Sequence, residues 1–417
     1  RMMSRGLGDV YKRQVYKYKI FNNLAEEGIN VLAEAKYIQD DSGPDALILR
    51  SFPLSSEDIT KNTKCISRAG AGTNNIPIDE ATKKGIVVFN TPGANANAVK
   101  ELVLCGMLLA SRGIIQGNAY AESLQNKSSD ELNKLIENQK KYFKGNELNG
   151  KTIGIIGLGS IGSLLAQATN VLGMKIIGFD PYLSVEGAWM LPKEVQKADS
   201  LEYLLSNSDY ITLHIPLTKD TENFISKKNI EAFKIGAKLI NLSRGRIVNN
   251  DDILTALDNG KISTYVTDFP TPDLIKRSVQ NRGVILLPHI GASTKEAEIN
   301  CAVMACEQAR NYLENGFITN SVNFPNIRLG RTSKFRLVII HRDEPGMIVK
   351  ITSEIANENL NISDMINKSR NENAITLIDL ATEPSQKLIK CIEKMRKVVS
   401  IRTVSYTHLT LPTRTVV

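Results

Sequence analysis

The chain has 417 residues, of which 42% are hydrophobic and 23% are charged, and its formal net charge is +8. This length predicts two to three domains, each large enough for its own core, and the composition is that of an ordinary globular protein. The sequence contains no run of 18 apolar residues, so we expect no transmembrane helix, and no basic run interleaved with aromatic residues, which argues against nucleic-acid binding.

Part of the positive charge lies at the two ends of the chain. Residues 1–14 contribute +3 and residues 405–417 contribute +1, which leaves +4 for the remainder. Residues 1–14 show no apolar period and lack the apolar centre of a signal peptide. We therefore expect both segments to be extraneous tails, with ordinary disordered ends as the alternative. The five cysteines show no metal-ligand spacing, so we expect no metal site and a reducing, cytoplasmic setting.

The first part of the chain alternates apolar runs with helical stretches. Strands are predicted at 15–20, 45–49, 64–67 and 85–89, with a helix at 25–35. This alternation predicts a mainly parallel sheet, whose ligands bind beyond the carboxyl ends of the strands. The residues that follow these strands are suited to binding an anionic substrate: Arg50, Ser51, Gly70, Ala71, Gly72 and Asn95. The alternatives are turn chemistry for the glycines and a surface charge for Arg50.

A leucine- and alanine-rich helix is predicted at 97–112, and residues 124–148 are polar with a helical pattern. A buried strand at 152–156 then leads into Gly157, Gly159 and Gly162, which have the spacing G-x-G-x-x-G, and a helix begins near Ser160. These glycines suit a tight turn, a close approach of the backbone to a pyrophosphate, and close packing of helix on strand. The N-terminus of the helix offers its N–H groups to phosphate.

A second apolar strand, 174–179, ends in Asp180, about 20 residues past the glycines, where dinucleotide-binding proteins grip a ribose diol. The carboxylate of Asp180 would repel a 2′-phosphate, so the predicted cofactor is NAD rather than NADP. The alternative is a structural glycine turn in some other α/β protein. Four later apolar runs each close with polar residues that we expect at one edge of a second sheet: His214, Ser243 to Gly245, Asp268, and His289 to Gly291.

Hydride transfer from an alcohol needs a base, a group that orients the base, and a cation for the substrate's carboxylate. His289 is the candidate base, because histidine exchanges protons near neutral pH. Arg244 suits a bidentate grip on a carboxylate, and Asp273 is the only carboxylate of the loop after Asp268. The alternatives are a structural histidine, an ion pair for Arg244 and a solvated loop acid for Asp273. Asp268 is assigned to the nicotinamide side of the cofactor.

The last part of the chain forms a separate pattern. A long helix is predicted at 296–315, and a linker rich in Pro, Gly and polar residues follows at 323–332. Strands at 335–340, 362–367, 374–380 and 401–404 and helices at 347–358 and 386–397 give a β-α-β-β-α-β order.

Four of these motifs together resemble the D-isomer-specific 2-hydroxyacid dehydrogenases: residues 157–162, 214–218, 241–245 and 288–294. The C-terminal unit resembles an ACT domain through residues 343–346 and 359–362. The resemblance implies an α/β fold of two Rossmann-like lobes and a ferredoxin-like ACT domain. The substrate lobe would span 15–100 and be completed by 297–325, the NAD lobe would span 101–296 and the ACT domain 334–404. A cleft between the lobes would close over the substrate.

The resemblance implies NAD-dependent oxidation of 3-phospho-D-glycerate to 3-phosphohydroxypyruvate, the entry to serine synthesis. It makes Arg244 the carboxylate-binding residue and His289 the proton shuttle, and it brings Arg50 and Ser51 to the phosphate. NAD would contact Ser160, Ile161, Asp180, His214, Leu242, Ser243, Arg244, Asp268, His289, Ile290, Gly291 and Ala292 besides the three glycines. The family normally carries glutamate where Asp273 stands, and the shorter side chain loses on the order of 1.5 Å of reach.

Two questions stay open at the level of sequence. The resemblance implies serine as a feedback inhibitor near His341, Asp343 and Asn361, although asparagine is usual where Asp343 stands; the alternative is a module that only dimerises. We expect a homodimer or homotetramer. The rival functions are the same chemistry on another D-2-hydroxy acid, such as glycerate or hydroxypyruvate, and a catalytically idle NAD-sensing co-repressor.

Overall fold

A computed structural model describes residues 15–280 and 283–405. The predicted tails therefore lie outside the described residues, apart from Ser405, which ends the last strand. No helix in the described part of the chain is long and apolar enough to span a membrane. The predicted fold class is confirmed: two parallel sheets with helices are followed by a small antiparallel sheet.

The first sheet has five parallel strands in the order β2-β1-β3-β4-β5. Its elements are β1 Lys17–Phe21, α1 Glu26–Glu34, β2 Ile38–Gln39, β3 Ala46–Leu49, β4 Cys65–Arg68, α2 Ile78–Lys83 and β5 Val87–Phe89. Every residue of β3 and β5 is buried, as expected for parallel strands covered on both faces. The short strand β2 was not predicted, because its two residues are exposed and carry no apolar pattern.

The second sheet has seven parallel strands in the order β12-β11-β10-β9-β6-β7-β8. The strands are β6 Thr152–Ile156, β7 Lys175–Phe179, β8 Val195–Lys197, β9 Tyr210–Leu213, β10 Ala237–Asn241, β11 Ile262–Thr267 and β12 Val284–Leu286. Both faces are covered: in β10, Leu239 packs into one hydrophobic cluster and Ile240 into another. The order reverses between β6 and β9, which is the topological switch point at which such sheets bind ligands.

The helices around this sheet are α3 Ala96–Ser111, α4 Ile114–Ser123, α5 Ser129–Gln139, α6 Ser160–Val171, α7 Val185–Trp189, α8 Leu201–Asn207, α9 Lys227–Ile230, α10 Asn250–Asp258 and α11 Pro272–Val279. Helix α12, Lys295–Asn315, follows the sheet. The polar stretch predicted at 124–148 contains α5, whose start is fixed by a reciprocal capping box between Ser128 and Glu131.

The third sheet is antiparallel in the order β14-β15-β13-β16. Its elements are β13 Phe335–Arg342, α13 Met347–Asn357, β14 Ile362–Arg370, β15 Asn373–Leu380, α14 Gln386–Glu393 and β16 Val398–Ser405. This is the predicted β-α-β-β-α-β order. Leu337 and Ile339 pack under α13 and α14, whereas Val338 and Ile340 share a core with Tyr18 of the first sheet.

By their contacts, the described residues divide into two compact units. One consists of Asn95–Ala297, and the other joins the chain before residue 95 to the chain after residue 297. The C-terminal module therefore belongs to the same compact unit as the first sheet. The lobe limits drawn from the sequence, at 100/101 and 296/297, stay predictions.

Candidate active site

The turn after β6 shows why its glycines are needed. Gly157 has φ +91°, and a Cβ there would lie 2.5 Å from the carbonyl oxygen of His214. A Cβ on Gly162 would lie 2.0 Å from the carbonyl oxygen of Gly157. A Cβ on Gly159, in contrast, would meet no described atom within 4 Å. The protein's own packing thus requires Gly157 and Gly162, while the space beside Gly159 is open to a ligand.

The N-terminus of α6 offers free donors beside that space. The N-cap residue is Gly159, which has no side chain to accept a hydrogen bond from the first turn of the helix. Ser160, the first helical residue, is exposed. Within the described residues, the N–H groups of Ser160 and Ile161 donate to no protein acceptor. These donors and the helix dipole suit the phosphates of a dinucleotide.

Asp180 follows β7 and supports the same turn. Its Oδ2 accepts a hydrogen bond from the Leu158 N–H at 2.8 Å, and its Oδ1 accepts one from the Tyr182 N–H at 2.9 Å. Each oxygen of an ionised carboxylate has two acceptor positions, so each retains one for a further donor. Asp180 can therefore hold the glycine turn in place and still accept from two hydroxyls of a ribose.

Asp268 follows β11 and is almost fully buried, with 1% of its surface exposed. Its Oδ2 accepts from the Gly291 N–H at 3.0 Å, and its main-chain oxygen accepts from the His289 N–H at 3.0 Å. Its Oδ1 is buried without a hydrogen-bond partner in the described structure. A buried acceptor without a donor is costly, so this atom marks a place where a ligand donor fits.

The electrostatics of Asp268 indicate which charges lie near it. Burial raises the pKa of its carboxyl group, while the hydrogen bond from Gly291 and the charges of His289 and Arg244 act in the opposite direction. The imidazole and the guanidinium predicted to carry the chemistry are therefore both within electrostatic reach of one buried carboxyl group. The structure brings these three residues together.

His289 has an unusual backbone. Its φ is +53°, a left-handed conformation that few non-glycine residues adopt and that is concentrated at functional sites. The residue is exposed, and its ring lies 5.0 Å, centroid to centroid, from the ring of Phe269. A Cβ on Gly245 would lie 3.1 Å from the Cβ of Phe269, so this ring also packs against the loop of Arg244. No pattern in the sequence predicted a role for Phe269.

The loop that carries Arg244 is held by the side chain of Asn241, the last residue of β10. The buried Asn241 accepts from the Ser243 N–H at 3.2 Å and donates to the Arg244 carbonyl oxygen at 3.0 Å. The Ser243 hydroxyl donates to the Leu213 carbonyl, while Leu242 is buried in the core. The Arg244 side chain is exposed, and its Nη1 donates to the Ser243 carbonyl at 2.7 Å. Asn241 was part of a predicted motif, but its positioning role was missed.

His214 follows β9 beside the glycine turn. Its Nε2 and the Thr212 hydroxyl are 2.9 Å apart, and its Nδ1 has no partner within the described residues. Burial lowers the pKa of His214 to about 4, so the ring is neutral at physiological pH. A neutral, half-buried ring is suited to contact with a cofactor rather than to proton exchange with a substrate.

Asp273 lies in the first turn of α11, which is capped by the Thr271 side chain. It is exposed, and no hydrogen bond joins it to His289 in the described structure. The structure thus does not bring the predicted acid and base into contact, and the role of Asp273 stays a prediction. Ile290 is 38% exposed and Ala292 is partly buried in the loop that follows His289.

A second group of predicted residues lies at the carboxyl edge of the first sheet, in the other compact unit. The Arg50 carbonyl accepts from Arg68 Nε at 2.9 Å and from Asn75 Nδ2 at 3.3 Å. The Gly70 N–H donates to the Thr91 hydroxyl at 2.7 Å, and Arg68 Nη1 donates to the Gly72 carbonyl. Arg68 therefore joins the Arg50 segment to the glycine loop.

The remaining residues predicted to bind substrate are divided between the two units. Ser51 is exposed directly after Arg50, and the Ala71 carbonyl accepts from Asn90 Nδ2 at 2.6 Å. Asn95 lies in the unit of the second sheet, where it caps α3 without a side-chain hydrogen bond.

The predicted effector residues differ in exposure. His341 is buried, with Nδ1 2.8 Å from the Arg342 carbonyl and Nε2 2.9 Å from the Thr376 hydroxyl. Asp343 and Asn361 are exposed. Because both ring nitrogens of His341 have protein partners, an effector would first meet the other two residues.

Comparisons with known proteins identify relatives of this chain. Residues 104–291 match the family model described as D-isomer specific 2-hydroxyacid dehydrogenase, NAD binding domain. The chain is 34% identical over 352 residues to a D-3-phosphoglycerate dehydrogenase of Methanocaldococcus jannaschii, covering 80% of this chain and 64% of the relative. It is 33% identical over 339 residues to one of Haemophilus influenzae, covering 79% of this chain and 78% of the relative.

Among solved structures, the chain is similar to the NAD⁺-bound 3-phosphoglycerate dehydrogenase of Entamoeba histolytica. The TM-score is 0.58 at 26% identity, and the match covers 74% of this chain and 99% of the solved chain. The chain spans only 53% to 64% of the length of three of the curated relatives that it matches.

Proposed function

Because the chain belongs to the D-isomer-specific 2-hydroxyacid dehydrogenase family, we propose that it catalyses the NAD-dependent oxidation of 3-phospho-D-glycerate to 3-phosphohydroxypyruvate, the first step of serine synthesis. The observation that carries the proposal is the grouping of His289 and Arg244 around the buried Asp268, at the sheet edge that also bears the glycine turn. Relatives named D-3-phosphoglycerate dehydrogenase match most of the chain.

The residues present fit NAD. The open space at Gly159, the free N–H groups of Ser160 and Ile161, and the Asp180 carboxylate suit its phosphates and ribose. The unpartnered Oδ1 of Asp268 suits an amide donor such as the nicotinamide carboxamide. NAD, when bound, supplies the acceptor for the hydride.

The chain's own residues supply the rest of the reaction. Arg244 binds the substrate's carboxylate with its forked guanidinium and polarises the developing carbonyl. His289 takes the proton of the C2 hydroxyl, held in place by its contact with Phe269 and by its backbone bond to Asp268. Arg50 and Ser51 bind the phosphate. Asp273 tunes His289 once α11 or its loop moves closer to the ring, or through a bridging water.

The test follows NADH absorbance with 3-phosphoglycerate, glycerate and lactate as substrates. We expect turnover with 3-phosphoglycerate, a loss of at least about 100-fold in kcat for His289→Asn, and a rise in KM for Arg244→Met. NADH binding, measured by fluorescence, should survive both substitutions. A preference for the unphosphorylated acids would overturn the substrate assignment. Absence of turnover with all three acids would leave an NAD-binding protein without this activity.

The C-terminal module has the strand and helix order of an ACT domain, and we propose that it binds serine as a feedback inhibitor at Asp343 and Asn361. The acidic Asp343 would meet the ammonium group of serine rather than its carboxylate. Titration of the NADH signal with L-serine tests this proposal, with D-serine as control. Activity unchanged by millimolar L-serine would leave the module a purely structural or dimerising role.

Two further parts of the proposal concern assembly and setting. We propose a homodimer or homotetramer, which light scattering on the purified protein would measure. The cysteines in the described part of the chain are free thiols, which fits a reducing cytoplasm.

A further inference from the structure

The side chain of Arg50 has a partner that the sequence did not reveal. Its Nη2 lies 2.7 Å from Oε1 of Glu298, near the start of α12. The contact is a single N···O pair rather than a two-pronged grip, and the side chains are 41% and 45% exposed. Exposed pairs of this kind contribute little to stability, so the contact can be exchanged for a stronger one.

The backbone of Arg50 does not depend on this contact. Arg68 and Asn75 both donate to the Arg50 carbonyl, so the main chain is held by hydrogen bonds that do not involve Glu298. The ion pair therefore sets only where the guanidinium rests. Exchanging its partner costs a side-chain movement and no rearrangement of the loop.

The charges around Glu298 form one small cluster. Cys301 lies one turn further along α12, and burial raises the pKa of its thiol. Arg50, Arg68 and Glu298 all lie within electrostatic reach of that thiol, the two arginines lowering its pKa and the carboxylate raising it. Glu298 and the two arginines therefore belong to one cluster of charges around Cys301.

We propose that Glu298 competes with the substrate for Arg50: it holds the Arg50 guanidinium until the phosphate group of the substrate displaces it. This inference rests on the proposed function, in which Arg50 binds the phosphate. A phosphate dianion offers Arg50 a bidentate, doubly charged partner, which outcompetes one exposed carboxylate oxygen. A hydroxy acid without a phosphate has no group to make the exchange, so Arg50 stays paired with Glu298.

Glu298 therefore weakens the binding of phosphorylated acids by competing for Arg50 and by repelling the dianion. Replacing it with glutamine removes the charge and keeps the size of the side chain. We expect Glu298→Gln to lower KM for 3-phosphoglycerate by roughly two- to fivefold, with kcat unchanged. Binding of glycerate should not change.

The matched control is Glu307→Gln, an exposed carboxylate of the same helix for which no ion pair is found within the described residues. It should leave KM and kcat as in the wild type. Arg50→Met should raise KM for 3-phosphoglycerate by at least about tenfold and remove the effect of Glu298→Gln in the double variant. A higher KM in Glu298→Gln, or equal shifts for 3-phosphoglycerate and glycerate, would overturn the inference.

Calorimetric titration with inorganic phosphate separates this inference from the proposed function, because it needs no turnover. Tighter phosphate binding by Glu298→Gln than by the wild type supports the competition even if 3-phosphoglycerate is not oxidised. Unchanged or weaker phosphate binding refutes the competition even if the oxidation is observed.

Discussion

Gly159 and Gly162 stand in the same turn, and the reasons for glycine differ between them. A Cβ on Gly162 would collide with the Gly157 carbonyl at 2.0 Å, whereas a Cβ on Gly159 would point into open space. Gly162→Ala should therefore cost about 1–3 kcal/mol of stability through overpacking. Gly159→Ala should leave the melting temperature unchanged and weaken NADH binding by about tenfold or more. Thermal melts and fluorescence titration measure the two effects.

An equal fall in melting temperature for both variants would contradict this division. It would mean that the turn, and not the ligand, requires glycine at position 159. Normal NADH affinity in a stable Gly159→Ala variant would contradict it in a different way, because the open space would then not be occupied by the cofactor.

The half-buried ring of His214 makes stability depend on pH. Its pKa is about 4 in the folded chain against 6.5 for an exposed histidine, so below pH 6.5 the unfolded chain takes up a proton that the folded chain does not. This contribution to stability is complete above pH 6.5 and is lost as the pH falls from 6.5 towards 4. The loss is about 1 kcal/mol between pH 7.5 and 5.5. The fall in melting temperature over that range should be smaller in His214→Gln than in the wild type. Parallel pH profiles for the two proteins would refute the assignment.

At the scale of elements, the placement of polar residues at the strand ends of the second sheet was predictable from the sequence. The glycine turn, Asp180, Asp268 and His289 were found because each follows an apolar run, and carboxyl ends of parallel strands share one edge. Asn241 and Phe269 were missed, because their roles consist of contacts across strands and loops. Such contacts depend on three-dimensional packing and leave no periodic pattern in the sequence.

The C-terminus of α12 is capped by arginine side chains, which the sequence patterns did not predict. Carbonyls of a helix's last turn have no partner within the helix. Here Arg402 donates to the carbonyls of Tyr312 and Leu313, Arg331 to that of Glu314, and Arg336 to that of Asn315. The arginines come from the C-terminal module and the segment before it, so the module caps the helix.

Removal of one capping arginine should destabilise the protein. Arg402→Met loses its two hydrogen bonds to α12 and its position over the Tyr312 ring, 4.5 Å from the centroid. We expect a loss of about 2–4 kcal/mol, measured by urea unfolding. Arg396→Met, at an exposed position nearby, is the control and should change the free energy of unfolding by less than about 0.5 kcal/mol. A loss of similar size in both variants would argue against the cap.

At the scale of the whole molecule, the C-terminal module shares one compact unit with the first sheet. The sequence did contain a sign of this. Residues 337–340 and most of 374–380 are apolar without alternation, and all are buried. An antiparallel sheet with helices on one face and water on the other would alternate instead. A sheet buried on both faces needs a second cover, and that partner lies far away in the sequence.

Deletion of residues 331–417 tests whether the module is a detachable regulator or part of the core. Its Val338, Ile340 and Leu377 pack against Tyr18 and Tyr312 of the remaining chain, which would become exposed. Each large apolar side chain brought into water costs roughly 1.5–3 kcal/mol, and the net stability of a domain is only about 5–15 kcal/mol. We therefore expect the shortened chain to aggregate or to melt at least about 10 °C below the full chain. A monodisperse shortened chain with an unchanged melting temperature would show that the shared core contributes little. In that case the module would be a detachable unit rather than part of the core.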